Sequence, residues 1–301
     1  MRTPSTNRKE SASKRIKKTR LHLKKGKKIG KELKEVAAIQ LDAALRQLKG
    51  NNVSPEPIHH ARTFIKKLRA IIQLSSPALP HSLRDKLQGQ LKKAASKMSL
   101  LRDADVGLQS LDLLIKDMHA PAEQFTLLRS GYADIAKQHR SNGAKQIPRV
   151  VGILQTIRKS ISEWPLEDLG AKDIQRRIKR TYRRGRTTLD LCASTKNPDD
   201  FHLWRKQVKQ LWYQLRLTSL HWPDGAERLI AATGKIGHLA GIERDYTLLA
   251  ASLATGPKSQ SSRLLQQRIA SLLPDLRKEA IEAGESLYSQ KPKAFVEDLV
   301  L

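Results

Sequence analysis

A single cysteine, Cys192, among 301 residues leaves no partner for an intramolecular disulfide and no Cys-rich zinc site. It reads as a small packed residue in a protein kept reduced. Aromatic residues make up 4% of the chain, too few for the stacking platforms that readers of single-stranded nucleic acid use. No apolar run approaches the ~18 residues that would suggest a membrane-spanning helix, and the charged N-terminus has no apolar core of a secretory signal. A cytoplasmic protein is therefore expected. Acidic residues are scarce: 29 Asp and Glu face 57 Lys and Arg, a formal net charge of +28. Such an excess repels itself in a compact state until anions neutralise it, so the expected partner is an anion, in particular a polyanion.

Strand signals are also missing, since no stretch alternates with β-branched and aromatic enrichment around a hairpin turn. What is present is helical periodicity nearly throughout. Residues 1–28 hold 12 Lys or Arg and one acid, Glu10, and read as a largely disordered basic arm. From residue 29 to 301 the chain reads as one all-α domain with 39% hydrophobic residues available for a core. Leu33, Val36, Ala37, Leu41, Ala44, Leu45 and Leu48 recur at helical spacing, and Gly50-Asn51-Asn52 ends that helix. Pro55-Glu56-Pro57 opens the next, and Asn197-Pro198-Asp199 opens a later one. Trp164-Pro165 divides a first helical half, 29–165, from a second, 166–301.

A basic helix is written twice. His59, Arg62 and Lys66 recur as His202, Arg205 and Lys209, 143 residues later, and Arg-Asp pairs follow at Arg102-Asp103 and Arg244-Asp245. The aspartates fall 44 and 43 residues after their histidines, the fixed-period self-similarity of a duplication. On a helix, Arg62, Lys66 and Arg69 share one side with His59, while Ala61, Phe64, Ile65, Leu68, Ile71 and Ile72 share the other. Arg205, Lys206, Lys209 and Arg216 align likewise with His202, opposite Phe201, Trp204, Val208, Leu211 and Leu215. No acid sits three or four residues after any member of either stripe to pair with it. A third basic helix carries Arg176, Arg177, Lys179, Arg180, Arg183, Arg184 and Arg186, with Ile174, Ile178 and Tyr182 as its apolar residues.

Catalytic motifs are absent: no Walker-type Gly-rich loop, no Gly-x-Gly-x-x-Gly and no Gly-x-Ser-x-Gly. His59-His60 with Asp103 or Asp105 could imitate a metal-dependent hydrolase site, but the surrounding Arg and Lys would repel a cation. Asp103 and Asp245 are expected to pair with a neighbouring basic helix or to cap the helix that follows them. A basic face binds any phosphate, so a nucleic-acid or ribosome-associated role stays open beside that of a hydrolase. No helix-turn-helix or zinc finger supplies base-reading groups. Cations without base readers suit a polyanion without bases.

The paired motifs resemble those of the CHAD family, α-helical domains named for a conserved histidine. The resemblance rests on His59, Arg62, Lys66, Lys67 and Arg69 followed by Arg102-Asp103-Ala104-Asp105-Val106, and on His202, Arg205, Lys206, Lys209 and Tyr213 followed by Arg244-Asp245. It extends to Tyr182-Arg183-Arg184-Gly185-Arg186 and Leu287-Tyr288. Trp212 stands where that family usually has Arg. The resemblance implies two four-helix bundles related by a pseudo-twofold, with basic helices facing a central groove or pore. It further implies a protein that binds inorganic polyphosphate without catalysis or cofactor, and association with polyphosphate granules. The residues expected to hold the polymer are those of the two His stripes, Lys67, and Arg176, Arg177, Arg180, Arg183 and Arg184.

Overall fold

The computed structural model describes residues 19–50, 54–195, 197–222, 226–297 and 299–301. Among these residues ten α-helices follow one another: α1 Ile29–Gln47, α2 Pro55–Leu74, α3 His81–Lys97, α4 Ser99–Asp117, α5 Thr126–Ala144, α6 Ile147–Ser160, α7 Ala171–Thr195, α8 Pro198–Leu217, α9 Ala226–Thr255 and α10 Gln260–Leu287. Among the described residues there is no strand. The all-α reading holds.

The helices form where their sequences ask them to. In α2 the apolar face of Ile58, Ala61, Phe64, Ile65, Leu68, Ile71 and Ile72 is wholly buried, and prolines occupy its first turn, where no intrahelical N–H is lost. Asn197 caps α8 by accepting a hydrogen bond from the Asp199 amide at 2.9 Å. Phe201, Trp204, Val208, Leu211 and Leu215 are buried as the periodicity requires. In α7, Ile174, Ile178 and Tyr182 face inward, and the Tyr182 hydroxyl donates to the Leu287 carbonyl at 3.0 Å. The C-terminal segment folds back there, stacking Phe295 on Tyr182 at 3.9 Å. Cys192 is buried, its thiol pushed up to about 12 by burial.

Helices α1, α2, α3 and α6 pack together, as do α7, α8, α9 and α10, and the two groups meet where α2 lies against α7 and α8. The α4–α5 hairpin departs from the division at residue 165. It belongs by sequence to the first half but leans on the second, with a small separate core of Leu111, Leu114, Ile115 and Phe125 against Leu249, Leu253, Leu265 and Ile269. Polar ties fix it: the Tyr132 hydroxyl donates to Ser252 at 2.8 Å, and Arg268 pairs with Asp117 at 2.6 Å.

The basic arm ends earlier than its composition suggests. Residues 1–18 lie outside the described residues, but the stretch 19–28 is built into the fold. Leu21 and Leu23 are buried in the main core, and the Leu23 amide donates to the Leu217 carbonyl at 2.8 Å. Arg20 pairs with Glu32 at 2.9 Å and with Glu35 at 2.8 Å. Two leucines in a run of lysines were a weak signal that charge composition hid.

Candidate polyanion-binding cleft

Where α2, α7 and α8 converge, they enclose with α3 a cleft of about 550 Å³. Helices α2, α3 and α7 contribute residues at three- and four-residue spacing, hence one edge of each: Lys66, Arg69 and Gln73 from α2; Gln88 and Lys92 from α3; Arg177, Arg180, Thr181 and Arg184 from α7. Helix α8 adds Arg205, Lys206, Gln207, Lys209, Gln210 and Tyr213. Nine of these carry positive charge. None is a carboxylate.

Much of the lining is held in place. Arg177 donates from Nε to the Gln73 carbonyl at 2.9 Å and from a terminal nitrogen to the Gln73 side chain. Arg69 donates to Gln88 at 3.0 Å, and Gln88 returns a bond to the Arg69 carbonyl at 3.1 Å. Glutamines take these positions in place of acids, so the cations are fixed without being neutralised.

The electrostatic cost appears in the lysines. Burial, then the neighbouring charges of Arg102, Arg205, Arg62 and Lys209, lowers Lys66 to about 7. Lys209 falls to about 8 through burial and the proximity of Arg205 and Arg216. Arg177 is brought down to about 10 by burial, Arg180, Arg184 and Arg84. Each of these groups is easier to charge once an anion enters.

Eight of the residues singled out from the sequence line the cleft: Lys66, Arg69, Arg177, Arg180, Arg184, Arg205, Lys206 and Lys209. The other seven do not. A stripe from residue 59 to 73 is ~21 Å long at 1.5 Å per residue, too long for all of it to face one cavity. At its upper end Arg62 turns away to donate to the Ala95 carbonyl in the last turn of α3, at 2.5 Å. His59 lies beside Arg102 outside the cleft, and partial burial of its ring followed by that neighbouring charge lowers it. His202 is lowered to about 4 by burial and by Lys206, Arg244 and Arg205. Both shifts favour the neutral imidazole in the ligand-free protein, a direction that the sequence leaves undetermined. Lys67 is buried, its Nζ 4.6 Å from the Phe64 ring centre, and burial with Arg216 nearby lowers it to about 8. Arg216 rests over Trp212 at 4.8 Å. Arg176 pairs with Asp173 outside the cleft, and Arg183 is exposed elsewhere on α7.

The Arg-Asp motifs lie inside α4 and α9 and cap neither. Asp103 stands 3.8 Å from Arg102. Asp245 sits among Arg102, Arg205 and Lys66, its carboxyl raised first by burial. Among the described residues no group of three or more His, Cys, Asp or Glu is placed to hold a metal ion, so His59, His60, Asp103 and Asp105 do not assemble into a cluster of that kind. Among the described residues no helix is long and apolar enough to cross a membrane. Sequence reasoning missed Lys92 and Gln88 because α3 carries several exposed lysines, and spacing alone does not separate Lys92 from them.

No curated protein sequence matches the chain. Among solved structures, the fold is similar to a crystal structure of the CHAD domain from the plant Ricinus communis, with 18% identity, a TM-score of 0.65, and coverage of 86% of this chain and 89% of that one. It is also similar to PptA from Streptomyces chartreusis, at 15% identity and a TM-score of 0.60, over 88% of this chain and 99% of the other. The CHAD domain family pattern matches residues 35–254, a span that contains both His helices, both Arg-Asp pairs and every residue lining the cleft. The chain belongs to the CHAD domain family.

Proposed function

We propose that the protein binds inorganic polyphosphate in this cleft and does not alter it chemically. One observation carries the reading: among the described residues, nine cations and no carboxylate line a single concave space. A polymer with a negative charge on each phosphate and no bases needs dense cations and nothing that reads an edge. Arg69, Arg177, Arg180, Arg184 and Arg205 supply planar forks that bond two phosphate oxygens, and Lys66, Lys92, Lys206 and Lys209 supply mobile point charges. The protein acts in the cytoplasm, at polyphosphate granules, and the basic residues of 1–18 add long-range attraction.

Nucleic acid would be a secondary ligand. Tyr213 is buried, and the Trp212 ring already carries Lys209 at 4.2 Å and Arg216 at 4.8 Å. Neither offers a bare ring to a base.

Titration with polyphosphate of defined length, against single-stranded DNA of equal charge and across a salt series, tests the reading. Polyphosphate should bind more tightly, with a log-log salt slope of several units, by analogy with the ~0.7–0.9 per phosphate contact of nucleic acids. A flat salt response, or preference for DNA, rejects it. Release of phosphate on adding magnesium or manganese would replace binding with hydrolysis.

A further inference from the structure

Resting on that reading, we infer that Trp212 and the glycine edge of α9 are a positioning device for the α8 cations: they set where Lys209 and Arg205 stand at the cleft wall. Trp212 does not line the cleft; it acts through residues that do or that border it. The Lys209 ammonium lies 4.2 Å from the centre of the Trp212 ring, and the Arg216 guanidinium 4.8 Å from it. Two cations therefore share one indole, and among the described residues no carboxylate lies within ion-pairing distance of either. An aromatic face attracts a cation through its quadrupole yet adds no negative charge. It fixes a lysine that must remain free to meet an anion, as an acid could not.

The facing surface of α9 is cut to match. A Cβ on Gly237 would stand 2.8 Å from Lys209 Cδ, one on Gly234 3.3 Å from the Trp212 indole nitrogen, and one on Gly241 3.6 Å from an Arg205 terminal nitrogen. These glycines recur at three- and four-residue spacing, so they form one edge. Along it the α8 side chains lie close to the α9 backbone, and Lys209 reaches the ring from a stem held in a slot. The wall on this side is preset before a ligand arrives, which spares the ordering cost of long side chains on binding.

Two readouts test the inference, one without ligand. In protein carrying isotope-labelled lysine, the ε-methylene protons of Lys209 should show an upfield ring-current shift in wild type and Trp212→Phe. The shift should vanish in Trp212→Leu, which keeps apolar bulk without a π face. Gly237→Ala should reduce it by lifting the stem. In titration with polyphosphate of defined length, Trp212→Leu should bind roughly five- to tenfold more weakly than wild type, and Trp212→Phe should stay within about twofold. In a Lys209→Ala/Arg216→Ala background, Trp212→Leu should cost nothing further, because the ring has no cation left to hold. Equal binding by the Phe and Leu variants, an additive loss in that background, or no ring-current shift in folded wild type overturns the inference. If wild type shows the shift but binds no polyphosphate, the device stands and the ligand assignment fails.

Discussion

Arg177 and Gln73, 104 residues apart, join α7 to the last turn of α2 by two hydrogen bonds, one to the main chain and one to the side chain. An uncharged residue thereby holds a cation at the cleft wall. Replacing Gln73 by Ala removes the side-chain bond and keeps the main-chain bond. Stability should fall by about 1.5–3 kcal/mol in urea denaturation, the range for a hydrogen bond to a charged group. An unchanged midpoint would mean that the side-chain bond contributes nothing.

The same helix offers a charge-matched comparison. Arg180 and Arg184 line the cleft, whereas Arg176 and Arg183 do not. The Arg180→Ala/Arg184→Ala pair should weaken polyphosphate binding at least tenfold, while Arg176→Ala/Arg183→Ala, with the same change in net charge, should cost less than threefold at physiological salt. Equal losses in the two pairs would reduce the protein to a nonspecific polycation.

Stability without ligand should rise with pH between about 7 and 10. Lys66 is lowered from 10.5 to about 7, and Lys67 and Lys209 from 10.5 to about 8. In that window the unfolded chain binds more protons than the folded one, so the unfolding free energy increases as pH rises. A bound polyanion favours the charged lysines and opposes this trend. The Tm should be higher at pH 9 than at pH 7 without ligand, and the increase in Tm on adding polyphosphate should be larger at pH 7 than at pH 9. Calorimetry at pH 8 in two buffers of different ionisation enthalpy should register net proton uptake on binding. Lys66→Arg should diminish it.

Truncation separates the arm from the fold. A chain starting at residue 19 should match the full chain in helicity and Tm. A chain starting at 29 loses Leu21 and Leu23, each buried, at a cost of about 1.5–3 kcal/mol apiece. Its Tm should drop by several degrees. Identical melting of the two truncations would return the boundary to residue 28.

How much of this was legible in the sequence depends on the interaction. The apolar faces of α2, α7 and α8 follow from spacing because burial is a one-dimensional property of a helix. So does the sharing of one edge of α2 by Lys66 and Arg69 and of one edge of α8 by Arg205 and Lys209, whereas the meeting of those edges at one cleft was implied only by the family resemblance. Arg62 could not be separated from Lys66 on the same stripe, because its partner, the Ala95 carbonyl, is a main-chain group on another helix. His202 is lowered first by burial and then by charges that include Arg244, 42 residues away in sequence and beside it in space, neither of which helical spacing shows. Leu21 and Leu23 were hidden by the twelve cations around them, since composition averages over positions and packing does not.

The α4–α5 hairpin also imposes an order in time. Tyr132 precedes its partner Ser252 by 120 residues. A ribosome adding about 5–20 residues per second leaves on the order of 6–24 s between them. Through that interval Leu111, Leu114, Ile115 and Phe125 are without the α9 and α10 surface that covers them in the finished molecule. The nascent first half must carry this uncovered apolar patch until the last two helices emerge, so the C-terminal third of the chain completes a surface made long before it.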